Sequence, residues 1–159
     1  NFEMSLPFAR AENPVTNSNW EGVGVEPDVD IASEKALEKA QIMAMRKLSE
    51  NEKDPKYKAL YIWMSEKYGT RLNPVTIPLN ILKSYAGTYG PRTISLKDST
   101  LYYQRKGRKK IKMIPVSEEY FLFNEYEYFR LKFIKENNKV TAVEGYTPQG
   151  SSDRHLKEE

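Results

Sequence analysis

The hydrophobic period of the sequence changes within the stretch SYAGTYGPRTISLKDSTLYYQRKG, which spans residues 84–107. Upstream of it, apolar residues recur at helical spacing, and a short helical turn at 79–85 leads into it. From Tyr85 onward, apolar and polar residues alternate, so successive side chains would point to opposite faces of a β-strand. The stretch therefore predicts an α+β fold in which helices come first and an antiparallel sheet follows.

Short strands are predicted downstream of residue 86, at 87–89, 93–97, 101–105, 110–116, 120–123, 129–135 and 140–146. Residues that favour turns separate them, most clearly Asn137-Asn138, because asparagine tolerates positive φ angles. Short strands at this spacing indicate an antiparallel meander over residues 79–150, curled into a small barrel or half-barrel. The polar residues 151–159 are predicted to form a tail.

Two helices and a linker are predicted over residues 33–78. Ser33 is expected to cap the first helix. Asp54-Pro55 is expected to begin the second, because a capping acid followed by proline is the favoured order at a helix start. Gly69 is expected to end it. Since only a short polar turn joins the two helices, they predict an antiparallel hairpin.

The first residues of the chain also alternate, with apolar side chains at Phe2, Met4, Leu6 and Phe8. Residues 2–11 therefore predict a strand. A strand with no partner leaves its backbone groups open to another chain. The segment is expected either to fold back onto the helical hairpin or to pair with a second copy of the chain, giving a homodimer.

A loop of fixed shape is predicted for the segment NPVTNSNWEGVGVEPD, residues 13–28. Pro14 and Pro27 lack backbone donors, while Gly22 and Gly24 permit backbone angles that are closed to other residues. Such a segment cannot form a regular helix or strand.

This loop, with the strand before it and the helix after it, resembles the end of the catalytic domain in tail-specific (carboxy-terminal processing) serine proteases. It is similar also to modules of the interphotoreceptor retinoid-binding protein. The resemblance is carried by WEGVGVEPD at residues 20–28 and spans residues 2–40. Downstream, SYAGTYGPR at 84–92 and LYYQR at 101–105 resemble the small, lipocalin-like β domain appended to bacterial proteases of this type.

The resemblance implies a C-terminal fragment of a bacterial serine endopeptidase that works in the periplasm or outside the cell. Residues 1–32 would be the last strand and loop of the catalytic domain. The parent enzyme would act on peptides or unfolded proteins, and the β domain would recruit substrate or mediate assembly, without a cofactor. The retinoid-binding relatives keep a second function open, a non-catalytic module that binds an apolar ligand or a peptide.

Glu21 is the candidate catalytic residue, by resemblance alone. A glutamate at this position of the protease loop helps to orient the catalytic machinery, although this chain reads EGVGV at residues 21–25 where some relatives have asparagine after the glutamate. Alternatively, Glu21 accepts backbone hydrogen bonds within its own loop. Trp20 either covers a substrate groove or anchors the loop in a core, and anchoring is the favoured interpretation.

No nucleophile is predicted, so the chain alone is expected to be inactive. Its serines lack a Gly-x-Ser-x-Gly context, and its only histidine, His155, falls in the predicted polar tail. With no cysteine and a single histidine, no metal site is predicted. In the protease family, the segments that carry the nucleophile and the base lie upstream of the matched part.

The basic cluster at residues 105–112, next to Tyr102 and Tyr103, has two interpretations. Cations beside aromatic side chains are typical of single-stranded nucleic-acid sites. A solvated hairpin turn gives the same pattern, and the net charge of only +3 favours it, so no nucleic-acid partner is predicted. No apolar run reaches the ~20 residues of a membrane-spanning helix, so no transmembrane segment is predicted either.

The aromatic residues of the second half likewise allow two interpretations. In an open barrel they would line a groove for a peptide or an apolar ligand, and in a closed one they would fill the interior. Filling is favoured, although alternation cannot decide, because both faces of YFLF at residues 120–123 carry large side chains.

Overall fold

The computed structural model describes residues 2–6, 8–17, 19 and 24–158, with the backbone alone for Ser151 and Ser152. The chain divides into two compact units, Asn1–Ala32 and Ser33–Glu159. Glu21 and Trp20 lie outside the described residues, so their predicted roles stay predictions.

The described part of the first unit contains turns but neither helix nor strand. Asn13 organises one turn, since its carbonyl accepts a hydrogen bond from the Asn17 N–H at 2.8 Å and its side-chain oxygen accepts one from the Val15 N–H at 2.9 Å. The strand predicted at 2–11 is wrong for the described residues of that range, where the apolar side chains are exposed. A strand needs a neighbour for its backbone groups, and no described residue provides one.

The second unit begins with the predicted helical hairpin. A 3-10 turn at Ser33–Lys35 leads into helix α1 (Ala36–Asn51), and helix α2 (Pro55–Leu72) packs against α1. Asp54 caps α2 as predicted, because its side chain accepts a hydrogen bond from the Lys56 N–H at 2.8 Å.

Two predicted helix boundaries are wrong. The N-cap of α1 is Lys35, which makes no side-chain capping bond, because Ser33 already belongs to the 3-10 turn. Helix α2 continues through Gly69 to Leu72, beyond which the Asn73 N–H donates to the Gly69 carbonyl at 2.9 Å. Glycine inside a helix costs only about 1 kcal/mol relative to alanine, which the packing of α2 against α1 outweighs.

After a short helix α3 (Leu79–Tyr85), the described residues form nine strands in two antiparallel sheets. The first sheet has the order β1-β2-β3-β4, and its strands are β1 (Gly87–Tyr89), β2 (Arg92–Lys97), β3 (Thr100–Arg105) and β4 (Ile111–Lys112). The second has the order β5-β6-β7-β8-β9, and its strands are β5 (Ile114–Pro115), β6 (Tyr120–Leu122), β7 (Arg130–Glu136), β8 (Lys139–Thr147) and β9 (Gly150–Leu156). Within each sheet, every strand pairs with its neighbours along the chain, so the predicted meander is confirmed.

The meander changes sheets at the buried Met113. The strand predicted at 110–116 is divided there, and the Met113 N–H donates to the Leu101 carbonyl of β3 at 2.9 Å. A backbone hydrogen bond from Glu158 to the Thr88 carbonyl, at 2.9 Å, links the two ends of the meander. The two sheets nevertheless do not close into a barrel, and the predicted lipocalin-like barrel is not confirmed.

The prediction of a polar tail is wrong, because β9 extends the second sheet to Leu156. Its residues pair with β8, for example His155 with Val143. Strand β9 is the edge of its sheet, and polar or charged side chains are common on edge strands. The sequence therefore showed no apolar alternation at this position.

Side chains of both sheets and of α3 form one core. Phe133 of β7 stacks on Tyr85 of α3 with ring centroids 3.9 Å apart, and it makes edge contacts with Tyr89 and Phe121. Burial raises the pKa of the Tyr89 phenol, whose hydroxyl donates to the Tyr85 carbonyl at 2.8 Å. The prediction that aromatic side chains fill the interior is confirmed for these residues. None of the described helices is long and apolar enough to cross a membrane.

Candidate functional site

The loop between β6 and β7 keeps aromatic side chains at the surface. Its sequence is FNEYEYF, residues 123–129, and we name it the aromatic loop. Phe123 is buried in the core, but Tyr126 is 38% exposed and Tyr128 is 58% exposed. Tyr126 and Phe129 line each of three cavities, which therefore lie around the same two side chains, and we name the three together the groove of the aromatic loop.

A cavity of about 200 Å³ lies between the aromatic loop and helix α2. We name it the helix-side cavity. Lys67 lines it and pairs with Glu127 of the aromatic loop at 3.4 Å. The other α2 side chains that line the helix-side cavity are apolar or aromatic, Leu60, Trp63, Met64 and Tyr68.

Arg130, the first residue of β7, lines the helix-side cavity and contacts helix α2. Its guanidinium lies 4.4 Å from the centre of the Trp63 ring and 5.5 Å from that of Tyr120. It donates to the Trp63 carbonyl at 2.6 Å and forms an ion pair with Glu66. Burial raises the pKa of the Tyr120 phenol, and the charge and hydrogen bond of Arg130 act in the opposite direction. These contacts attach α2 to the second sheet and fix the cavity between them.

A second cavity, of about 450 Å³, lies between the aromatic loop and the end of β3, and we name it the basic-side cavity. Arg105, at the end of β3, and Arg108, in the β3–β4 loop, line it together with three aromatic side chains, Tyr103, Tyr126 and Phe129. A third cavity, of about 350 Å³, is lined by residues 125–129 of the aromatic loop, including Glu125 and Glu127. Each cavity of the groove is thus lined by aromatic side chains, with two arginines in the basic-side cavity and two glutamates in the third cavity.

Arg92, the first residue of β2, is only 1% exposed. Its guanidinium lies 5.5 Å from the centre of the Phe129 ring and forms an ion pair with Asp153 of β9. The turn before it needs glycine at position 90, where φ is +57° and a Cβ would lie 2.9 Å from Nδ1 of His155. Among the described residues, Nε and Nη1 of Arg92 have no hydrogen-bond partner.

His155, predicted to be solvated in a tail, instead lies on β9 and bonds through Nε2 to Asp153 at 3.1 Å. Asp153 also forms the ion pair with Arg92, so the contact between His155 and Asp153 belongs to a structural group of polar side chains. Among the described side chains, which exclude those of Ser151 and Ser152, no serine hydroxyl bonds to His155. Ser49, Ser65 and Ser84 donate instead to carbonyls of their own helices.

Lys135 of β7 packs its ammonium group over a ring of the core. Its ammonium donates to Glu118 at 2.5 Å and lies 5.4 Å from the centre of the Tyr85 ring. The hydrogen bond to Glu118 is the main cause of a pKa above the ordinary range for lysine. A lysine held in its protonated form cannot act as a general base. In the described part of the chain, no group of three or more acidic or histidine side chains could hold a metal ion.

Sequence reasoning singled out Tyr102, Tyr103 and the basic cluster, but it missed the two buried arginines. A signal existed for Arg92, which is in phase with the buried Ile94 along β2. Arg130 carried no such signal, since Lys132, Ile134 and Glu136, which are in phase with it along β7, are half-buried or exposed. The β3–β4 loop belongs to the first sheet and the aromatic loop to the second. They come close because the two sheets pack together, and the sequence does not show how the sheets pack.

No known protein-family profile matches the chain, and no solved structure matches it significantly.

Proposed function

We propose that the unit Ser33–Glu159 is a non-catalytic peptide-binding module that holds unfolded substrate in the groove of the aromatic loop. In this proposal it is the C-terminal part of a bacterial tail-specific-type serine peptidase acting in the periplasm or outside the cell. The exposure of Tyr126 and Tyr128 carries the proposal. Tyrosine offers a large, amphipathic contact area at low cost in side-chain entropy, and it is enriched in binding surfaces for this reason.

The shape of the groove favours an extended peptide over an enclosed apolar ligand. Three cavities that share Tyr126 and Phe129 can receive neighbouring side chains of one extended segment. The interior between the sheets is occupied by Leu131, Phe133 and Val143, none of which has measurable exposure. An apolar ligand carried inside the module would have to displace them, so this alternative has less support.

The parent peptidase is supported by the loop at residues 13–28 and by the apolar side chains that precede it. Phe2, Met4, Leu6 and Phe8 are exposed although they alternate as strand residues do. Exposed apolar side chains in such a row are typical of a surface that another element covers. A strand inserted into the sheet of a larger catalytic domain would explain both the alternation and the exposure.

Peptide binding is tested with a capped, unstructured, uncharged peptide that carries aromatic and aliphatic side chains. Fluorescence anisotropy with the intact chain should show saturable binding, and Tyr128→Ser should weaken it about tenfold, the effect of losing one anchor residue. Tyr57→Ser is the matched control, because Tyr57 is 48% exposed on α2 but lines none of the three cavities. Absence of saturable binding to the unmodified chain would overturn the proposal.

The non-catalytic part of the proposal has its own test. The purified chain, incubated with an unfolded protein substrate and a fluorophosphonate probe, should show neither hydrolysis nor labelling of a serine. Covalent catalysis requires a nucleophile within hydrogen-bond reach of a base. Hydrolysis accompanied by labelling of a serine would show that the chain is itself a peptidase.

A further inference from the structure

The basic-side cavity carries more positive charge than a purely aromatic peptide site requires. Arg105 and Arg108 line it directly. Neither forms an ion pair with a described residue, and the same is true of the lysines beside them, at positions 106, 109 and 110. The β3–β4 loop thus presents a group of cations that the described part of the chain leaves uncompensated.

A second, independent observation concerns the sheet face behind this cavity. Arg92 and Arg105 are directly opposed Cα partners on β2 and β3. Directly opposed residues of an antiparallel pair project to the same face, and like charges there destabilise the sheet. Asp153 is the described acid that pairs with Arg92. The guanidinium groups of Arg92 and Arg105 therefore lie on the same face of the sheet. Of the described carboxylates, that of Asp153 balances their positive charge.

Arg92 contributes to this cavity through Phe129. The Phe129 ring lines the basic-side cavity and also lies 5.5 Å from the guanidinium of Arg92. Arg92 is almost completely buried and its charge is paired with Asp153, so it contributes to the cavity by packing against the Phe129 ring. Two of its nitrogen atoms have no described hydrogen-bond partner, which is rare for a buried cation.

We propose that the basic-side cavity binds an acidic side chain of the recruited peptide. The carboxylate of an aspartate or glutamate accepts hydrogen bonds from Arg105 and Arg108, which form no ion pair with a described residue. The rings of Tyr103 and Tyr126 contact the apolar side chain next to the acid. This inference rests on the proposed function and adds a substrate class to it, peptides that place an acid beside an apolar residue.

The arrangement favours an isolated carboxylate over a nucleic-acid strand. A nucleic acid carries a phosphate at every nucleotide, and a strand along the groove would pass Glu125 and Glu127 in the adjoining cavity. A peptide with one acidic side chain places its negative charge only in the basic-side cavity. The net charge of +3 also gives little long-range attraction for a polyanion.

The test uses two capped peptides that differ only by a glutamine-to-glutamate exchange next to an aromatic residue. With the intact chain, the glutamate peptide should bind about tenfold more tightly, as expected for a charge-assisted hydrogen bond. The double substitution Arg105→Gln and Arg108→Gln should remove this preference, so that the two peptides bind this variant with equal affinity. The pair Lys106→Gln and Lys109→Gln removes the same charge from the same loop but no lining residue, and should keep the preference.

The possible outcomes separate the carboxylate site from the peptide-binding function. Equal binding of both peptides to the unmodified chain contradicts the carboxylate site and leaves the peptide-binding function standing, whereas failure of both peptides to bind rejects the two together. Loss of the preference in the lysine control would show a non-specific charge effect and contradict the site. Displacement of the glutamate peptide by a single-stranded oligonucleotide of equal affinity would also overturn the inference, in favour of nucleic-acid binding.

Discussion

Residues 2–8 and strand β7 have similar alternating patterns and opposite environments. Phe2, Met4, Leu6 and Phe8 are exposed, whereas Leu131 and Phe133 of β7 are completely buried. Strand β7 pairs with β6 on one side and β8 on the other. No described strand pairs with residues 2–6 or 8. Alternation therefore identifies a segment that can form a strand, but a neighbouring strand and a covering layer decide whether its apolar face is buried.

The largest loss of stability is expected from a substitution at Phe133 of β7. Phe133→Ala should lower the free energy of unfolding by about 3–5 kcal/mol, because it removes a buried ring and leaves a cavity beside Tyr85 and Phe121. Phe8→Ala is the matched control and should change it by less than about 0.5 kcal/mol. Urea unfolding followed by circular dichroism measures both. Similar losses for the two variants would mean that Phe8 is buried in solution and that the comparison fails.

A smaller loss of stability is expected when the buried Arg130 loses one of its polar partners. Glu66→Ala leaves the guanidinium of Arg130 with the Trp63 carbonyl but without its carboxylate, and should cost about 1–3 kcal/mol. Glu127→Ala removes the more exposed pair with Lys67 and should cost less than about 1 kcal/mol.

The same unfolding measurement applies to both variants. Equal small losses would show that the contact between Arg130 and Glu66 does not hold α2 against the sheet. The helix-side cavity would then lose its main support.

The second unit was predictable to a large extent because its signals are local. Asp54-Pro55 starts α2, and positive φ angles at Asn137 and Asn138 form the β7–β8 turn as expected. The errors occur where long-range packing overrides a local signal. Gly69 remains helical within the hairpin, and the polar β9 is a strand because β8 pairs with it.

The candidate site was less predictable, because it is formed by elements that are distant in sequence. Trp63 and Arg130 meet only through the packing of α2 on the second sheet. Arg92 and Asp153 meet although β2 and β9 belong to different sheets. The sequence pattern indicated that aromatic and basic residues were present in the second half. It could not indicate which aromatic side chains would remain outside the core.

The least effect on stability, and the clearest effect on assembly, is expected from deletion of residues 1–12. No described side chain of this range is buried, so the free energy of unfolding of the rest should change by less than about 0.5 kcal/mol. If this segment pairs with a second copy, the intact chain should form dimers in light scattering and the shortened chain should be monomeric. Leu6→Lys together with Phe8→Lys should also prevent dimers, because lysines on an open strand oppose edge-to-edge pairing. Two monomeric proteins of equal stability would contradict pairing between copies, and the alternation at Phe2 to Phe8 would then require a partner of another kind.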